Sequence, residues 1–146
     1  MRPKAIASLL DQIIEKGNHV PVHIWGSPGI GKSSVVHQIS ERRAFGLIDL
    51  RMTLLDPTDL RGIPVALDGM AKWLAPEFLP NEKRDGKSGI LFLDELNAAP
   101  PITQASGYQL VLDRRVGEYS LPPGWVIIAA GNRAGDRAVV HRMPSA

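Results

Sequence analysis

The sequence has no cysteine among its 146 residues, which excludes both a disulfide framework and a zinc-thiolate site. Aromatic residues make up only 5%, and the formal net charge is only +2. The chain therefore offers neither a row of stacking platforms nor a strongly basic surface, and a nucleic-acid partner is not expected. The histidines are scattered, without a spacing that indicates a shared metal.

Long apolar runs are also missing. None approaches the roughly 20 residues that span a bilayer, and Asp11 and Gln12 interrupt the apolar part of the N-terminus, where a signal peptide would be continuous. We therefore expect no membrane insertion and a cytoplasmic location. Residues 1–19 instead predict an amphipathic helix that stops at Gly17, with apolar residues at helical spacing: Ile6, Leu9, Leu10, Ile13 and Ile14.

The rest of the chain alternates between apolar strand patterns and helical patterns. Buried strands are predicted at 20–25, 47–51, 90–93 and 125–129, and helices at 32–43 and, after Pro100 and Pro101, through 103–112. The alternation predicts an α/β fold with a mainly parallel sheet and helices on both faces.

The remaining segments carry loop signals. Residues 56–80 read as a proline-rich loop that contains a hairpin turning at Asp68-Gly69, the pair preferred in two-residue turns. Residues 81–89 are predicted to be an exposed, mobile loop. Residues 116–119 and 125–129 flank a Pro-Pro-Gly turn.

The segment GSPGIGKSS matches the phosphate-loop pattern through Gly26, Gly31, Lys32 and Ser33. Glycines let backbone N–H groups approach phosphate oxygens, and the following helix adds its positive N-terminal end. Lys32 is expected to reach the terminal phosphates and Ser33 to ligate Mg²⁺. A second Gly-Lys-Ser, at 86–88, lacks the first glycine and a following helix, and reads as a loop. The predicted nucleotide-binding residues are Gly26, Ser27, Pro28, Gly29, Ile30, Gly31, Lys32, Ser33 and Ser34.

Two acids end the apolar strand in ILFLDELN. At the carboxyl edge of a parallel sheet, where ligands bind, Asp94 is predicted to support Mg²⁺, through water, and Glu95 to orient and deprotonate an attacking water. Capping of a helix is the alternative for one acid, but it does not account for the pair. Asn132, which follows the strand WVIIAA, is predicted to hold the attacking water or the γ-phosphate; by itself Gly-Asn would be a turn.

Taken in order, GSPGIGKS, ILFLDELNAAPP and WVIIAAGNR resemble the Walker A, Walker B and sensor 1 motifs of AAA+ ATPases. LDPTDLRGIP, LAPEFLP and QLVLDRRVGEYSLPPGW make the chain most similar to the MoxR-like group, from about residue 20 onward. The resemblance implies an AAA+ nucleotide-binding core over residues 1–146, with ATP and Mg²⁺ as ligands and the roles assigned above. It also implies hairpins at 68–69 and 115–125, a hexameric ring, and a protein client such as a protein with a von Willebrand factor A domain.

AAA+ proteins normally continue with an arginine finger, a helical lid and a sensor 2 arginine. Because the sequence ends at HRMPSA, we expect the core without the C-terminal lid. Arg133, Arg137 and Arg142 match no finger pattern and are interpreted as surface charges.

Three functional hypotheses follow. The leading one is an ATP-hydrolysing module that remodels protein partners in a chaperone-like manner. The second is a nucleotide-dependent binding module with negligible hydrolysis, and the third is a DNA-acting motor, against which the low charge and few aromatics argue. The choice between ATP and GTP is left open by the residues themselves.

Overall fold

The computed structural model describes residues 2–17, 20–27 and 29–132. No helix in this part of the chain is long and apolar enough to cross a membrane. The helices are α1 Pro3–Glu15, α2 Lys32–Arg43, α3 Pro57–Arg61, α4 Glu82–Asp85 and α5 Pro101–Asp113, with short 3-10 turns at Met52–Leu54 and Leu96–Ala98. The strands are β1 Val22–Trp25, β2 Gly46–Arg51, β3 Ile63–Leu67, β4 Met70–Leu74, β5 Gly89–Asp94, β6 Arg115–Val116, β7 Tyr119–Ser120 and β8 Trp125–Gly131.

A parallel sheet of four strands forms the centre, in the order β1-β8-β5-β2. All three pairings are parallel, and Asp94 at the end of β5 lies opposite Arg51 at the end of β2. Helices cover both faces, so the predicted α/β class is confirmed. Because the strands run in one direction, their carboxyl ends meet at a single edge.

Two apolar cores flank the sheet. On β5, Ile90 and Phe92 pack in the core formed with α1 and α2, whereas Leu91 and Leu93 pack in the core formed with α3 and α5. All four side chains are completely buried. This burial on both faces explains the uninterrupted apolar pattern of ILFL, and each such side chain contributes roughly 1.5–3 kcal/mol relative to an exposed one.

The N-terminal helix exists but is shorter than predicted, because it ends at Glu15 and Gly17 takes a left-handed φ of 65°. Leu10 is its buried residue, and Asp11 forms ion pairs with Arg42 and Arg43 of α2. Leu9 was expected on the buried face, but it is 45% exposed. Only the stripe through Leu10 faces the core.

Strand β1 corrects the prediction of a buried strand at 20–25. It begins at Val22, and Trp25 is 43% exposed, while Ile24 is buried. Within the described sheet β1 pairs only with β8, so it is an edge strand. An edge strand has a neighbouring strand on one side only, and here Trp25 is open to solvent while Ile24 packs in the core.

The segment 56–80 contains a helix that the loop interpretation missed. Asp56 and Asp59 form a reciprocal capping box around α3, with Pro57 at its first turn. The predicted hairpin is confirmed, because β3 and β4 pair antiparallel around Asp68 and Gly69. Both turn residues have positive φ, 51° and 76°, as a type I′ turn requires.

The segment 81–89 is not simply a loop. Asn81 caps α4 by accepting a hydrogen bond from the Lys83 N–H, and the Trp125 indole N–H donates to the Gly86 carbonyl at 3.0 Å. The second Gly-Lys-Ser lies between α4 and β5, outside any phosphate loop, as predicted.

The prediction that 116–119 and 125–129 flank one turn is wrong, whereas the hairpin expected within 115–125 is present over the shorter range 115–120. Val116 and Tyr119 are paired across a tight hairpin, β6–β7, which turns at Gly117 and Glu118. The Tyr119 hydroxyl donates to the Pro80 carbonyl at 2.6 Å, which fixes this hairpin to the segment before α4. The Pro-Pro-Gly segment instead leads into β8, which pairs with β1 and β5.

Candidate functional site

The carboxyl edge of the sheet and the start of α2 enclose a cavity of about 350 Å³. It collects residues from the glycine-rich loop, from the ends of β2, β5 and β8, and from the residue that follows β8. Its lining residues are Gly29, Gly31, Lys32, Ser33, Ser34, Arg51, Asp94, Glu95, Gly131 and Asn132.

The loop between β1 and α2 depends on its glycines. Gly29 and Gly31 have φ values of 79° and 90°, which side chains with a Cβ rarely adopt. Gly31 directly precedes α2 and accepts the Val35 N–H, so the N-terminal end of the helix opens onto the cavity. A helix N-terminus with exposed N–H groups favours phosphate.

Lys32 connects this loop to β8. Its Nζ donates to the Gly26 carbonyl at 2.7 Å, to the Ser27 carbonyl at 3.0 Å and to Asn132 Oδ1 at 3.0 Å. The ammonium group therefore lies between the phosphate-loop backbone and the asparagine side chain. This position allows it to balance negative charge in the cavity.

Ser33 and Asp94 lie in direct contact, because the serine Oγ donates to Asp94 Oδ2 at 2.9 Å. A hydroxyl and a carboxylate that converge in this way are oxygen ligands of the kind Mg²⁺ prefers, with water and phosphate completing the shell. Among the described residues, no group of three or more His, Cys, Asp or Glu side chains can hold a metal without such help. The residues present thus fit Mg²⁺ bound together with a phosphate ligand.

Glu95 has an unusual backbone conformation for a residue with a side chain, φ 55° and ψ 35°. Its N–H donates to Asp94 Oδ1, and its carboxylate Oε2 accepts from the Thr53 hydroxyl, both at 2.9 Å. The left-handed turn separates the two acids. Asp94 points to Ser33, whereas Glu95 points to Thr53.

Asn132 is held by a second asparagine, Asn97. Asn97 Oδ1 accepts the Asn132 N–H at 3.0 Å, and Asn97 Nδ2 donates to the Asn132 carbonyl. Gln104 of α5 donates to the carbonyl of Ala99 at 2.8 Å and to that of Asn97 at 3.4 Å. This chain of amides runs from α5 to the cavity wall.

His23 lies beside the same strand end. Its ring stacks on Trp25 with centroids 4.1 Å apart, and burial lowers the pKa of His23 to about 4. Within the described part of the chain, its Nε2 is buried and has no hydrogen-bond partner. The ring is therefore neutral at ordinary pH.

A second pocket, of about 150 Å³, shares Gly31 and Lys32 with the first. Its walls are mainly apolar and come from α1, β1, the loop and α2. The remaining lining residues are Pro3, Ile6, Ile24, Ile30 and Val35. The two pockets form a polar and an apolar compartment on either side of the start of α2.

The structure brings most of the predicted site residues together. Gly26 and Ser27 contribute carbonyl groups to Lys32, and Ile30 lines the apolar pocket instead of the polar cavity. Pro28, Arg133, Arg137 and Arg142 lie outside the described residues. The remaining predicted residues line the polar cavity: Gly29, Gly31, Lys32, Ser33, Ser34, Asp94, Glu95 and Asn132.

Four residues at the site were not predicted: Arg51, Thr53, Asn97 and Gly131. Arg51 ends β2 and Thr53 lies two residues further on, so the parallel arrangement of the predicted strands was a usable signal, since it places the strand ends beside each other. Asn97 had no such signal, because its partner lies 35 residues further along the chain.

No protein-family model and no curated protein matches the sequence. Solved structures do match. An ATPase, so named only provisionally, from Cytophaga hutchinsonii superimposes with a TM-score of 0.63 at 18% identity over 97% of this chain and 41% of the other. RuvB from Thermotoga maritima, as a mutant, gives 0.59 at 17% identity over 90% and 38%. NtrX from Brucella abortus gives 0.51 at 22% identity over 86% and 30%.

This chain thus spans about two fifths or less of the length of these structures. At such identities the likeness shows the fold alone. The chain has the α/β fold of these solved structures, with a parallel sheet covered by helices on both faces.

Proposed function

We propose that the chain is an ATPase module that binds ATP with Mg²⁺ and hydrolyses the β–γ phosphoanhydride bond. The observation that carries this proposal is the convergence of Lys32, the Ser33–Asp94 pair, Glu95 and Asn132 on one cavity. They come from three separate stretches of the sequence. A site that only capped a helix would require no such assembly.

Each residue has a defined task in this reaction. Lys32 and the loop N–H groups would neutralise the terminal phosphates. Ser33 would bind Mg²⁺ and Asp94 would support it through water, and the ion, when bound, would supply Lewis-acid chemistry toward the phosphate oxygens. Glu95 accepts a proton from the attacking water, and Asn132 orients this water or the γ-phosphate. Thr53 fixes the Glu95 carboxylate at 2.9 Å.

The apolar pocket beside Lys32 supports the nucleotide assignment. A purine base needs a flat apolar slot, and Ile6, Ile30 and Val35 provide apolar walls next to the phosphate loop. Their side chains offer no hydrogen bonds that distinguish adenine from guanine. The choice of ATP rests on the resemblance to AAA+ ATPases.

We further propose a MoxR-like role in the cytoplasm, in which a ring of subunits, six by analogy, remodels a protein client such as a protein with a von Willebrand factor A domain. The β3–β4 hairpin supports client contact, because one of its faces carries exposed apolar side chains. These are Ile63, Leu67, Met70 and Leu74.

The test is phosphate release from MgATP by the chain and its Glu95→Gln variant. Turnover by the variant should be lower by at least about a hundredfold, the typical contribution of a general base. The reason is that an amide cannot accept the proton of the attacking water. Nucleotide affinity should change little. Glu41→Gln, the same substitution at an exposed position near the end of α2, is the matched control and should keep the parental rate.

Equal turnover in the Glu95→Gln variant would show that Glu95 is not the base. Tight binding without phosphate release at any protein concentration would contradict the ATPase proposal and favour a nucleotide-dependent binding module.

A further inference from the structure

We propose that Asn97 is a positioning residue for γ-phosphate recognition: its side-chain amide fixes the backbone of Asn132, and thereby the Asn132 side chain that contacts Lys32. This inference rests on the proposed function, because it concerns how the same site distinguishes a triphosphate from a diphosphate. Asn97 is 1% exposed, so it contacts no ligand itself.

Two hydrogen bonds join the side chain of Asn97 to the backbone of Asn132. Asn97 Oδ1 accepts the Asn132 N–H at 3.0 Å, while Asn97 Nδ2 donates to the Asn132 carbonyl. Both backbone polar groups of Asn132 are thus bound by one planar side chain, as a neighbouring strand would bind them. Asn132 is the first residue after β8. The Asn97 side chain therefore hydrogen-bonds the backbone at the point where pairing between strands ends.

The position of Asn97 is itself fixed from two sides. Gln104 Nε2 donates to the carbonyls of Asn97 and Ala99, which attaches the turn after Glu95 to α5. Gly131 allows the close approach, because a Cβ there would lie 2.6 Å from Asn97 Oδ1. A tightly packed amide in a buried setting has few alternative orientations.

The position of Asn132 affects the cavity through its contact with Lys32. Asn132 Oδ1 accepts from Lys32 Nζ at 3.0 Å, and the same ammonium is held by the carbonyls of Gly26 and Ser27. A shift of the Asn132 backbone therefore moves an acceptor that helps to place the cation expected to meet the terminal phosphate. Loss of the Asn97 amide should weaken selection for a third phosphate more than it weakens nucleotide binding in general.

The experiment compares affinities for Mg-AMP-PNP and Mg-ADP in four chains: the parent, Asn97→Ala, Asn132→Ala and the double variant. The ratio of the two affinities should fall by about three- to tenfold in each single variant, as expected for one well-placed hydrogen bond. It should fall no further in the double variant, because Asn97 acts through Asn132. Thr103→Val, which removes a buried hydroxyl that contacts neither asparagine, should leave the ratio unchanged.

Asn97→Asp provides a second variant of nearly the same size, which keeps the acceptor for the Asn132 N–H but removes the donor. It should lower the ratio as well. In the unmodified chain, the NMR signals of the Asn97 side-chain amide should shift on addition of Mg-AMP-PNP but not of Mg-ADP. This measurement does not depend on the folding of any variant.

Failure of this inference and of the proposed function can be told apart. If Asn132→Ala lowers the ratio but the Asn97 variants do not, the positioning role is wrong and the nucleotide site stands. If Asn97→Ala lowers the affinity ratio as much in the Asn132→Ala background as in the parent, Asn97 does not act through Asn132. Its role is then purely structural, and the inference is overturned. If no chain binds either nucleotide, the proposed function fails and the inference with it.

Discussion

At the scale of the residue, Glu95 shows how the site separates two neighbouring acids. Consecutive residues of a strand point to opposite faces, but Asp94 and Glu95 are parted by a left-handed turn at Glu95, φ 55°. Such a conformation costs of the order of 1–3 kcal/mol for a residue with a Cβ, and it recurs at functional sites. Two hydrogen bonds stabilise this conformation of Glu95: its N–H donates to Asp94, and its carboxylate accepts from Thr53.

His23 makes the stability of the chain depend on pH. Burial lowers the pKa of His23 from 6.5 to about 4, so between these values the unfolded chain binds a proton that the folded chain does not. The free energy of unfolding should therefore fall as the pH is lowered from about 6.5 to about 4. Urea unfolding across this range measures the effect.

The variant His23→Gln should lose this part of the pH dependence. The exposed His37, which contacts Asp49 at 3.2 Å, provides the control, and His37→Gln should keep it. An unchanged pH profile in His23→Gln would show that another group is responsible.

Single residues also show what a local pattern can and cannot predict. The sequence predicts one site for Lys32, Ser33, Asp94, Glu95 and Asn132, because each stands at the end of an apolar run or in a glycine-rich turn. All five line one cavity, and their roles in a reaction stay predictions. Asn97 and Thr53 were not predicted, since no local pattern reports a hydrogen bond to a residue far along the chain. Their partners are defined only once the sheet has formed.

At the scale of the element, helix capping and the edge position of a strand explain where the observed helices and strands differ from the predicted ones. Helix α2 runs from Lys32 to Arg43, as predicted, because a phosphate loop must open a helix. Helix α3 was missed because Pro57 reads as a loop residue, whereas Pro is well suited to the first turn of a helix when Asp56 and Asp59 cap it. Strand β1 was expected to be buried because its sequence does not report its place at the edge of the sheet.

The β3–β4 hairpin depends on two glycines for different reasons. At Gly62, φ is 89° and a Cβ would lie 1.8 Å from the Leu74 carbonyl oxygen. At Gly69, φ is 76° but nothing lies within 4 Å. Gly69→Ala should therefore cost about 1–2 kcal/mol from backbone strain alone, and Gly62→Ala clearly more, because the backbone itself must move.

The free energies of unfolding of the two variants, from denaturant titrations, test this order. Similar losses for both would show that the contact between Gly62 and Leu74 is not tight in solution. A larger loss at Gly69 would contradict the described hairpin.

At the scale of the whole molecule, the central sheet brings distant parts of the chain to one edge.

The proposed ring predicts that subunits act together. Phosphate released per chain should rise with protein concentration, as assembly brings subunits next to one another, and then level off. The measurement is the steady-state rate over at least a hundredfold range of concentration, beside the sedimentation behaviour of the same samples. A rate per chain that stays constant while the chain remains a monomer would contradict cooperation between subunits.

The fold class and the position of the site followed from the order of strands, helices and turns, because a parallel sheet fixes where strand ends meet. The hydrogen bonds from Gln104 to the Asn97 carbonyl and between the Asn97 side chain and Asn132, like the contact of Thr53 with Glu95, depend on packing that only the assembled molecule defines.

The most direct measurement is a binding titration with MgATP for the parent, Lys32→Ala and Lys87→Ala. The two lysines stand in the two Gly-Lys-Ser segments of the same chain, but only Lys32 lies at the cavity. Lys32→Ala should weaken binding by about tenfold or more, since it removes a charge that faces the phosphates, and Lys87→Ala should leave it unchanged. Circular dichroism checks that all three chains fold alike. No binding by the parent, or equal binding by all three folded chains, would contradict a nucleotide site at this edge of the sheet.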